Sequence, residues 1–265
     1  MKKISLLDLA VQNFGTISRD VLYSNIMCGE ILVNGEKNPN PSYKIPINSK
    51  LTFALERYVS RGGLKLEAAL KEWNIDVKNK IFLDAGSSTG GFTDCLLKNG
   101  AIKVFAVDVG YNQLVYSLRT DHRVTVYEKC NIMSLVHLDQ EPNAAVADLS
   151  FRSIGGAGRH IISLTSEKWM IALIKPQFEI DSLKYPEFKG IIYDKIILKN
   201  VLKEVLVKLD KDMLFVEKVM LSPIKGRKGN TEFLFLIRDN KNKNTNPDWI
   251  NLIGNDLDDL IDNIS

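Results

Sequence analysis

The segment IFLDAGSSTGGFTDCLL, residues 81–97, has the order of a buried strand, a glycine-rich loop and a helix. Its first three residues are apolar, a glycine pair marks a turn at residues 90–91, and the apolar residues that follow have helical spacing. The next apolar run, KVFAVDVG at residues 103–110, contains Asp108, which lies 22 positions after Gly86. An acid about 20 residues after such a loop typically binds the hydroxyls of a ribose. The sequence therefore predicts a nucleotide-binding βαβ unit.

The loop also indicates which kind of nucleotide binds. In a dinucleotide-binding loop, G-x-G-x-x-G, the second glycine lets the backbone approach the pyrophosphate. Here Ser88 occupies that position, and its side chain argues against a dinucleotide and therefore against a dehydrogenase. An adenosine cofactor without phosphates, S-adenosylmethionine, fits the loop better. The alternative is an ordinary glycine turn with no ligand, and Asp108 weighs against it.

Size and composition suit a catalytic domain with a small appendage. The chain has 265 residues, of which 45% are hydrophobic. It has no apolar run of about 18 residues and no signal-peptide pattern at its start, so we expect a soluble, cytoplasmic protein without a membrane partner. The net charge of +3 is too mildly basic to decide on nucleic-acid binding. The three cysteines, Cys28, Cys95 and Cys130, are far apart and predict reduced thiols and no metal site.

Residues 1–56 have the pattern of a separate small α+β domain. Two helices, a strand entering the hairpin signal Asn34-Gly35, and a later strand are predicted in this order. The order is similar to the RNA-binding module named after ribosomal protein S-four, and this similarity implies that RNA is contacted by Ser18, Arg19 and Lys37. Residues 1–60 carry seven basic and five acidic side chains, which is weak electrostatic support. A structural or protein-binding domain is the alternative.

The rest of the chain alternates strands with helices. Further strands are predicted at residues 124–127, 143–147, 169–174, 212–221 and 232–237. The last two are joined by a loop without a helix and should be antiparallel. We predict an α/β fold: a Rossmann-like, doubly wound, mostly parallel seven-stranded methyltransferase sheet at residues 64–265, after a linker at residues 57–63. The tail from Asp239 is rich in asparagine and lysine up to Pro247 and then has an acidic, helical pattern, and we expect it to be a solvated cap on this sheet.

Charged residues follow several of these strands. Because ligands bind at the carboxyl ends of parallel strands, Asp108, Asp148 and Lys175 should share one edge of the sheet. An antiparallel last strand brings Glu232 to the same edge. A neutral alcohol attacks a sulfonium methyl group poorly, so methylation of a ribose hydroxyl needs a base. A lysine can serve when its pKa falls towards neutrality through burial or a neighbouring cation.

The phrases YVSRGGLKL, LDAGSSTGGFTD, VDVGYNQL, ADLSF, IKPQFE and GNTEFLF resemble those of the TlyA, or haemolysin A, family of bacteria. The resemblance extends to about residue 237. It implies a ribosomal RNA 2′-O-methyltransferase with an FtsJ-like catalytic domain, S-adenosylmethionine as cofactor, and cytidine in ribosomal RNA or ribosomal subunits as substrate. The family's catalytic tetrad, in which Lys175 would accept the proton, corresponds here to Lys65, Asp148, Lys175 and Glu232.

Two further sets of candidate residues follow from the loop and from the resemblance. Cofactor-binding residues are expected at Asp84, Gly86, Ser87, Thr89, Gly90, Gly91, Phe92, Asp108, Val109, Asn131 and Asp148. RNA-binding residues are expected at Ser18, Arg19, Lys37, Arg61, Lys225 and Arg227. Two other functions remain as alternatives. A membrane-lysing haemolysin is disfavoured by the lack of an apolar span, and a non-catalytic ribosome-assembly factor by the presence of all four tetrad residues.

Overall fold

The structure is a computed structural model that describes residues 3–27, 29, 31–38, 40–53, 57–150, 153–226, 229–240 and 246–264. The chain forms two compact units, Met1–Arg57 and Tyr58–Ser265. Most of the segment predicted as a linker, residues 58–63, belongs to the second unit. Cys28 and Arg227, which the sequence analysis singled out, lie outside the described residues.

The first unit is a small α+β domain built around two helices. Its elements are β1 (Lys3–Ser5), α1 (Leu6–Asn13), α2 (Arg19–Met27), β2 (Ile31–Val33), β3 (Glu36–Lys37), β4 (Lys44–Pro46) and β5 (Leu51–Phe53). Strands β1 and β4 form one sheet and β3-β2-β5 another. Asn34 and Gly35 have φ angles of 53° and 89° and join β2 to antiparallel β3, which confirms the predicted hairpin. Strands β1 and β4 were not predicted.

The second unit contains seven strands and seven helices within the residues that the structure describes. Its elements are α3 (Arg61–Glu72), β6 (Ile81–Ala85), α4 (Gly91–Lys98), β7 (Lys103–Val107), α5 (Tyr116–Arg119), β8 (Val124–Tyr127), β9 (Ala144–Ala147), α6 (Ile154–Ser163), β10 (Trp169–Ile174), α7 (Pro176–Glu179), α8 (Lys195–Lys211), β11 (Leu214–Leu221), β12 (Phe233–Asp239) and α9 (Trp249–Asp262). A turn of 3₁₀ helix, Ile132–Ser134, lies between β8 and β9.

The seven strands form one sheet in the order β11-β12-β10-β9-β6-β7-β8. All neighbouring pairs from β8 to β10 are parallel, whereas β12 is antiparallel to both β10 and β11. This confirms the predicted mostly parallel, Rossmann-like sheet and the antiparallel last strand. The chain leaves β6 towards β7 on one side and later returns to place β9 on the other. The carboxyl ends of β6 and β9 therefore flank the crevice where such sheets bind their ligands.

Apolar side chains cover both faces of the sheet. One face packs against α6, α8 and α9, and the other packs against α3, α4 and α5. The tail forms a helix that covers the sheet, as predicted, but the expectation that it is merely solvated was wrong, because α9 buries one apolar stripe against α8 and β11: Trp249, Ile253, Leu257 and Ile261. Among the described helices, none combines the length and apolar character needed to cross a membrane.

Candidate active site

The glycine loop is held close to the end of β9. Gly86 follows β6 with a φ angle of +86°, and a Cβ atom built on it would lie 2.6 Å from the carbonyl oxygen of Asp148. A side chain at Gly86 would therefore be strained and would also push away the backbone of Asp148. The loop can approach the carboxyl end of β9 only because this residue is glycine.

Asp108 joins the glycine loop to the segment that follows β7. Its carboxylate accepts hydrogen bonds from the backbone N–H of Ser88 at 2.8 Å and from that of Gly110 at 2.7 Å. Ser88 has a φ angle of +47°, so the loop adopts a left-handed turn at this position without a glycine. A carboxylate has about four acceptor positions, so Asp108 retains capacity for ribose hydroxyls after making these two bonds.

The remaining loop residues serve mainly to pack α4 against its neighbours. Gly90 has a φ angle of +98°, and a Cβ on it would collide with Leu118. Gly91 likewise leaves no room for a side chain beside Ser60. Phe92 is buried in the hydrophobic core. These contacts fix the first turn of α4, and with it the loop, relative to the sheet.

Asp84, near the end of β6, is fully buried and accepts a hydrogen bond from the hydroxyl of Thr93 at 2.6 Å. Its other oxygen, Oδ1, has no hydrogen-bond partner within the described part of the chain. Burial, and to a lesser extent the nearby charges of Asp148 and Asp108, raises the pKa of Asp84 to about 7. An unpartnered buried carboxylate oxygen near Asp108, the acid predicted to bind ribose, suits a cationic adenosine cofactor, and S-adenosylmethionine carries an ammonium and a sulfonium group.

Replacing Asp84 by asparagine is expected to stabilise the protein without cofactor near and above pH 7, by at most about 4 kcal/mol. Because the folded-state pKa is raised from 3.8 to about 7, this carboxyl favours folding most at low pH, and its contribution is lost as the pH rises through 7. An amide does not ionise. Urea unfolding of both proteins at acidic and at alkaline pH measures the difference, which should grow with pH.

A surface substitution controls for the change of charge in this experiment. Asp256 is exposed on α9, so Asp256→Asn should leave the pH dependence of unfolding close to that of the unsubstituted protein. The raised pKa of Asp84 would be contradicted if Asp84→Asn changed the free energy of unfolding by the same amount at both pH values.

Lys175 and Asp148 form the first of two ion pairs at this edge of the sheet. Lys175 directly follows β10, and Asp148 directly follows the adjacent parallel strand β9. Their Nζ and Oδ1 atoms are 2.5 Å apart, and the Lys175 side chain is only 12% exposed. Lys175 Nζ also donates a hydrogen bond to the hydroxyl of Ser150 at 3.1 Å. The lysine nitrogen is therefore held by oxygen atoms of the β9–α6 segment.

Lys65 and Glu232 form the second ion pair. Lys65 lies on α3 and donates a hydrogen bond to Oε2 of Glu232, which precedes β12. Both side chains are nearly inaccessible to solvent, with 10% and 4% exposed. Ile174 of β10 pairs with Phe233 of antiparallel β12. Lys175 comes directly after Ile174 and Glu232 directly before Phe233, so both lie at the same end of the two strands. The antiparallel strand thus brings the four predicted tetrad residues together as two lysine–carboxylate pairs.

Glu179 fastens the segment that carries Asp148 and Ser150. It is buried on α7, where its carboxylate accepts hydrogen bonds from the backbone N–H of Ile154 at 2.8 Å and from the hydroxyl of Ser153. Burial raises its pKa, although these hydrogen bonds oppose the change. Helix α7 begins directly after Lys175, and Glu179 on this helix bonds Ser153 and Ile154, which lie a few residues after Asp148. Glu179 therefore links the segment after β10 to the start of α6.

The other predicted cofactor-binding residues lie around the same loops. Ser87 is buried, and its N–H donates to the carbonyl of Val107 at 3.1 Å. Thr89 is exposed on the loop, and Val109, next to Asp108, is 71% exposed. Asn131 is exposed and caps the 3₁₀ turn by accepting a hydrogen bond from the N–H of Met133 at 3.0 Å.

The predicted RNA-binding residues are distributed over both units. In the first unit, Ser18 accepts a long hydrogen bond of 3.4 Å from the N–H of Val21 at the start of α2. Exposed Arg19 pairs with Asp8 at 2.8 Å. Lys37 is exposed on β3.

In the second unit, two of the predicted RNA-binding residues meet. The guanidinium of Arg61 donates to the carbonyl of Lys225 at 2.8 Å, and both residues are exposed. Arg61 and Lys65 are one helical turn apart on α3, so the helix contacts the β11–β12 segment at two points. Arg227 lies outside the described residues.

Sequence reasoning missed Thr93, Ser150 and Glu179. Ser150 had a local signal, since it is a polar residue two positions after a candidate catalytic acid. Thr93 and Glu179 had none, because their partners depend on how a helix returns to the sheet. Within the described residues, no group of three histidine, cysteine or acidic side chains could hold a metal ion. Among the described cysteines, neither Cys95 nor Cys130 is part of a disulfide bond.

The strand order, the glycine loop with its two acids, and the lysine–carboxylate pairs at the same edge define an S-adenosylmethionine-dependent methyltransferase. The FtsJ-like methyltransferase family matches residues 58–238, and the chain belongs to that family.

Proteins from several bacteria are similar over most of the chain. Hemolysin A of Brachyspira hyodysenteriae is 43% identical over 225 residues, which are 83% of this chain and 93% of that protein. The 23S rRNA (cytidine-2′-O)-methyltransferase TlyA of Campylobacter jejuni is 37% identical over 189 residues, which are 70% of this chain and 73% of that protein. A solved structure described as a hemolysin from Streptococcus thermophilus has 34% identity and a TM-score of 0.73, covering 99% of this chain and 95% of that one.

Proposed function

We propose that this chain transfers a methyl group from S-adenosylmethionine to the ribose 2′-hydroxyl of a cytidine in ribosomal RNA. The observation that carries the proposal is the half-buried Lys175–Asp148 pair beside the glycine loop of an FtsJ-like methyltransferase. The substrate is taken from the similar protein of Campylobacter jejuni, whose name specifies cytidine 2′-O-methylation of 23S rRNA. A ribosomal RNA substrate also implies that the protein is located in the cytoplasm.

The residues around the glycine loop are proposed to bind the cofactor. Asp84 would face one of its positive charges, and Asp108 would accept hydrogen bonds from the ribose hydroxyls. The loop glycines and Ser87 would form the surface under the cofactor, with Thr89, Val109 and Asn131 at its rim. When bound, S-adenosylmethionine supplies an electrophilic methyl group. Asp84→Asn should therefore weaken cofactor binding at pH 7.5, which calorimetric titration with S-adenosylmethionine measures.

Lys175 is proposed to be the general base. In its neutral form it takes the proton of the ribose hydroxyl while the oxygen forms its new bond to the methyl carbon, and the bond from that carbon to sulfur breaks. Asp148 orients the lysine nitrogen. After transfer the proton resides on Lys175 as an ammonium, which the Asp148 carboxylate stabilises until solvent removes the proton.

Lys65 and Glu232 are proposed to complete the site beside this base. Their charges neutralise each other, so the pair adds polar groups at the edge of the sheet without adding net charge next to Lys175. Glu232 is adjacent in register to the lysine, and Lys65 holds the Glu232 carboxylate in place. The pair would thereby fix the β12 side of the site against α3.

The first unit, residues 1–57, is proposed to bind RNA through Ser18, Arg19 and Lys37, and the second through Arg61, Lys225 and Arg227. The reasons are the similarity of the first unit's element order to the S-four module and the exposed basic side chains of Arg19, Lys37, Arg61 and Lys225. Phosphate contacts of this kind make affinity fall with salt. Substituting Arg19 and Lys37 together by alanine should raise KM for RNA and leave kcat nearly unchanged.

Tritiated methyl transfer from S-adenosylmethionine to ribosomal RNA tests the function directly. The purified chain is incubated with naked ribosomal RNA, with each ribosomal subunit and with assembled ribosomes, and ribose methylation is mapped by mass spectrometry. We expect a 2′-O-methylcytidine in at least one of these substrates. Methyl incorporation into a base, or none into any of the four substrates, would refute the proposal.

The name of the similar protein from Brachyspira hyodysenteriae raises a second function, which the same preparation can test. Release of a dye from phospholipid vesicles by the purified chain alone would support membrane lysis. We expect no release, and we expect methyl transfer by the same sample. A chain that binds ribosomal RNA but transfers no methyl group would instead be an assembly factor.

A further inference from the structure

Ser150 is a second partner of the proposed catalytic lysine. Its hydroxyl oxygen lies 3.1 Å from Lys175 Nζ, and the carboxylate Oδ1 of Asp148 lies 2.5 Å from the same nitrogen. Asp148 and Ser150 are two positions apart on the segment that follows β9, so one short stretch of backbone provides both oxygens. Glu179 anchors the end of this stretch through Ile154.

The geometry of an amine explains why two oxygens are needed. The nitrogen of Lys175 has four tetrahedral directions, one of which is its bond to Cε. Ser150 accepts one N–H, and the Asp148 carboxylate lies along a second direction as the ion-pair partner, so a neutral Lys175 has one direction left for its lone pair. With Asp148 alone, rotation about the Cε–Nζ bond would leave the lone pair two equivalent directions. Ser150 removes this ambiguity.

We propose that Ser150 is a positioning residue that aims the lone pair of Lys175 at the substrate hydroxyl. Its hydroxyl can accept an N–H from both the neutral and the protonated lysine, so it keeps its place before and after proton transfer. This inference rests on the proposed function, because it assigns Ser150 to the same proton transfer. Ser150 itself exchanges no proton with the substrate.

Two substitutions at Ser150 test the inference. Ser150→Ala removes the hydroxyl and should lower kcat for methyl transfer about 10-fold, because a misplaced reacting atom slows the chemical step. KM for RNA, the Kd for S-adenosylmethionine and the melting temperature should stay close to those of the unsubstituted protein. Ser150→Thr retains a hydroxyl at the same position and should restore at least half of the lost rate. A purely structural role would change the melting temperature or KM instead.

A control serine and the unsubstituted protein make the outcomes distinct. Ser163 is exposed at the end of α6 and bonds the carbonyl of His160 at 2.7 Å, so Ser163→Ala should leave kcat unchanged. If the unsubstituted chain methylates RNA and Ser150→Ala is equally fast, the inference fails and the proposed function stands. A threonine variant as slow as the alanine variant would also refute it. If the unsubstituted chain transfers no methyl group, the proposed function itself fails.

Discussion

Lys175→Ala is expected to lower kcat for methyl transfer about a thousand-fold while S-adenosylmethionine still binds, because a positioned general base contributes roughly 10²–10⁴-fold to rate. The substitution removes the only proposed proton acceptor and leaves the glycine loop and Asp84 in place. Single-turnover transfer to ribosomal RNA gives the rate, and calorimetry gives cofactor affinity. Methyl transfer within about tenfold of the unsubstituted rate would show that another group takes the proton.

Two further variants test whether the proton-accepting role of Lys175, rather than its positive charge or the mere loss of a lysine next to β10, explains the lower rate. Lys175→Arg retains a cation that can pair with Asp148, but a guanidinium does not lose its proton, so this variant should be as slow as Lys175→Ala. Lys168 precedes the opposite end of β10 and is solvent-accessible, bonding the carbonyl of Ser163 at 3.0 Å. Lys168→Ala should retain the full rate. An active arginine variant would indicate that charge alone suffices.

The sheet could be predicted from sequence because its signals are local. Each parallel strand of the sheet is a short, mainly apolar run followed by a glycine or a charged residue, and the acid at Asp108 follows the loop at a characteristic interval. The sequence between residues 221 and 233 has no helical pattern, and this was enough to predict that β12 is antiparallel. That single topological inference placed Glu232 at the same edge as Lys175.

The partners inside the site could not be predicted, because they depend on long-range geometry. Lys65 and Glu232 are 167 positions apart, and no local pattern matches a lysine to one carboxylate rather than to another. The sequence analysis allowed for a cation beside the base lysine, whereas in the structure each lysine lies against its own carboxylate.

The tail shows a different reason for error. Its acidic residues favoured the prediction of a solvated segment. The apolar residues of α9 nevertheless recur at helical spacing and cover β11. Similarly, β1 and β4 are three residues long and pair across about 40 positions, so neither carries a strand signal of its own. In both cases burial against distant residues decided the structure.

Breaking the Lys65–Glu232 pair is expected to destabilise the fold by about 3–5 kcal/mol, which is typical when one member of a buried ion pair is removed. Lys65→Met leaves the Glu232 carboxylate without its partner, and Glu232→Leu does the same to the Lys65 ammonium, at a site that is at most 10% exposed. Urea unfolding measures both variants. A loss below about 1 kcal/mol in either would mean that water reaches the pair and that it contributes no more than a surface ion pair.

The double variant Lys65→Met/Glu232→Leu then separates stability from catalysis. Removing both charges leaves neither one uncompensated, so stability should return to within about 1 kcal/mol of the unsubstituted protein, whereas methyl transfer should remain slow. Lys184 and Glu204 form a control pair nearer the surface, with 56% and 32% of their side chains exposed. Lys184→Met should change stability by less than about 1 kcal/mol. A double variant that is stable and fully active would show that this pair holds α3 to β12 and takes no part in the reaction, leaving Lys175 and Asp148 to act without it.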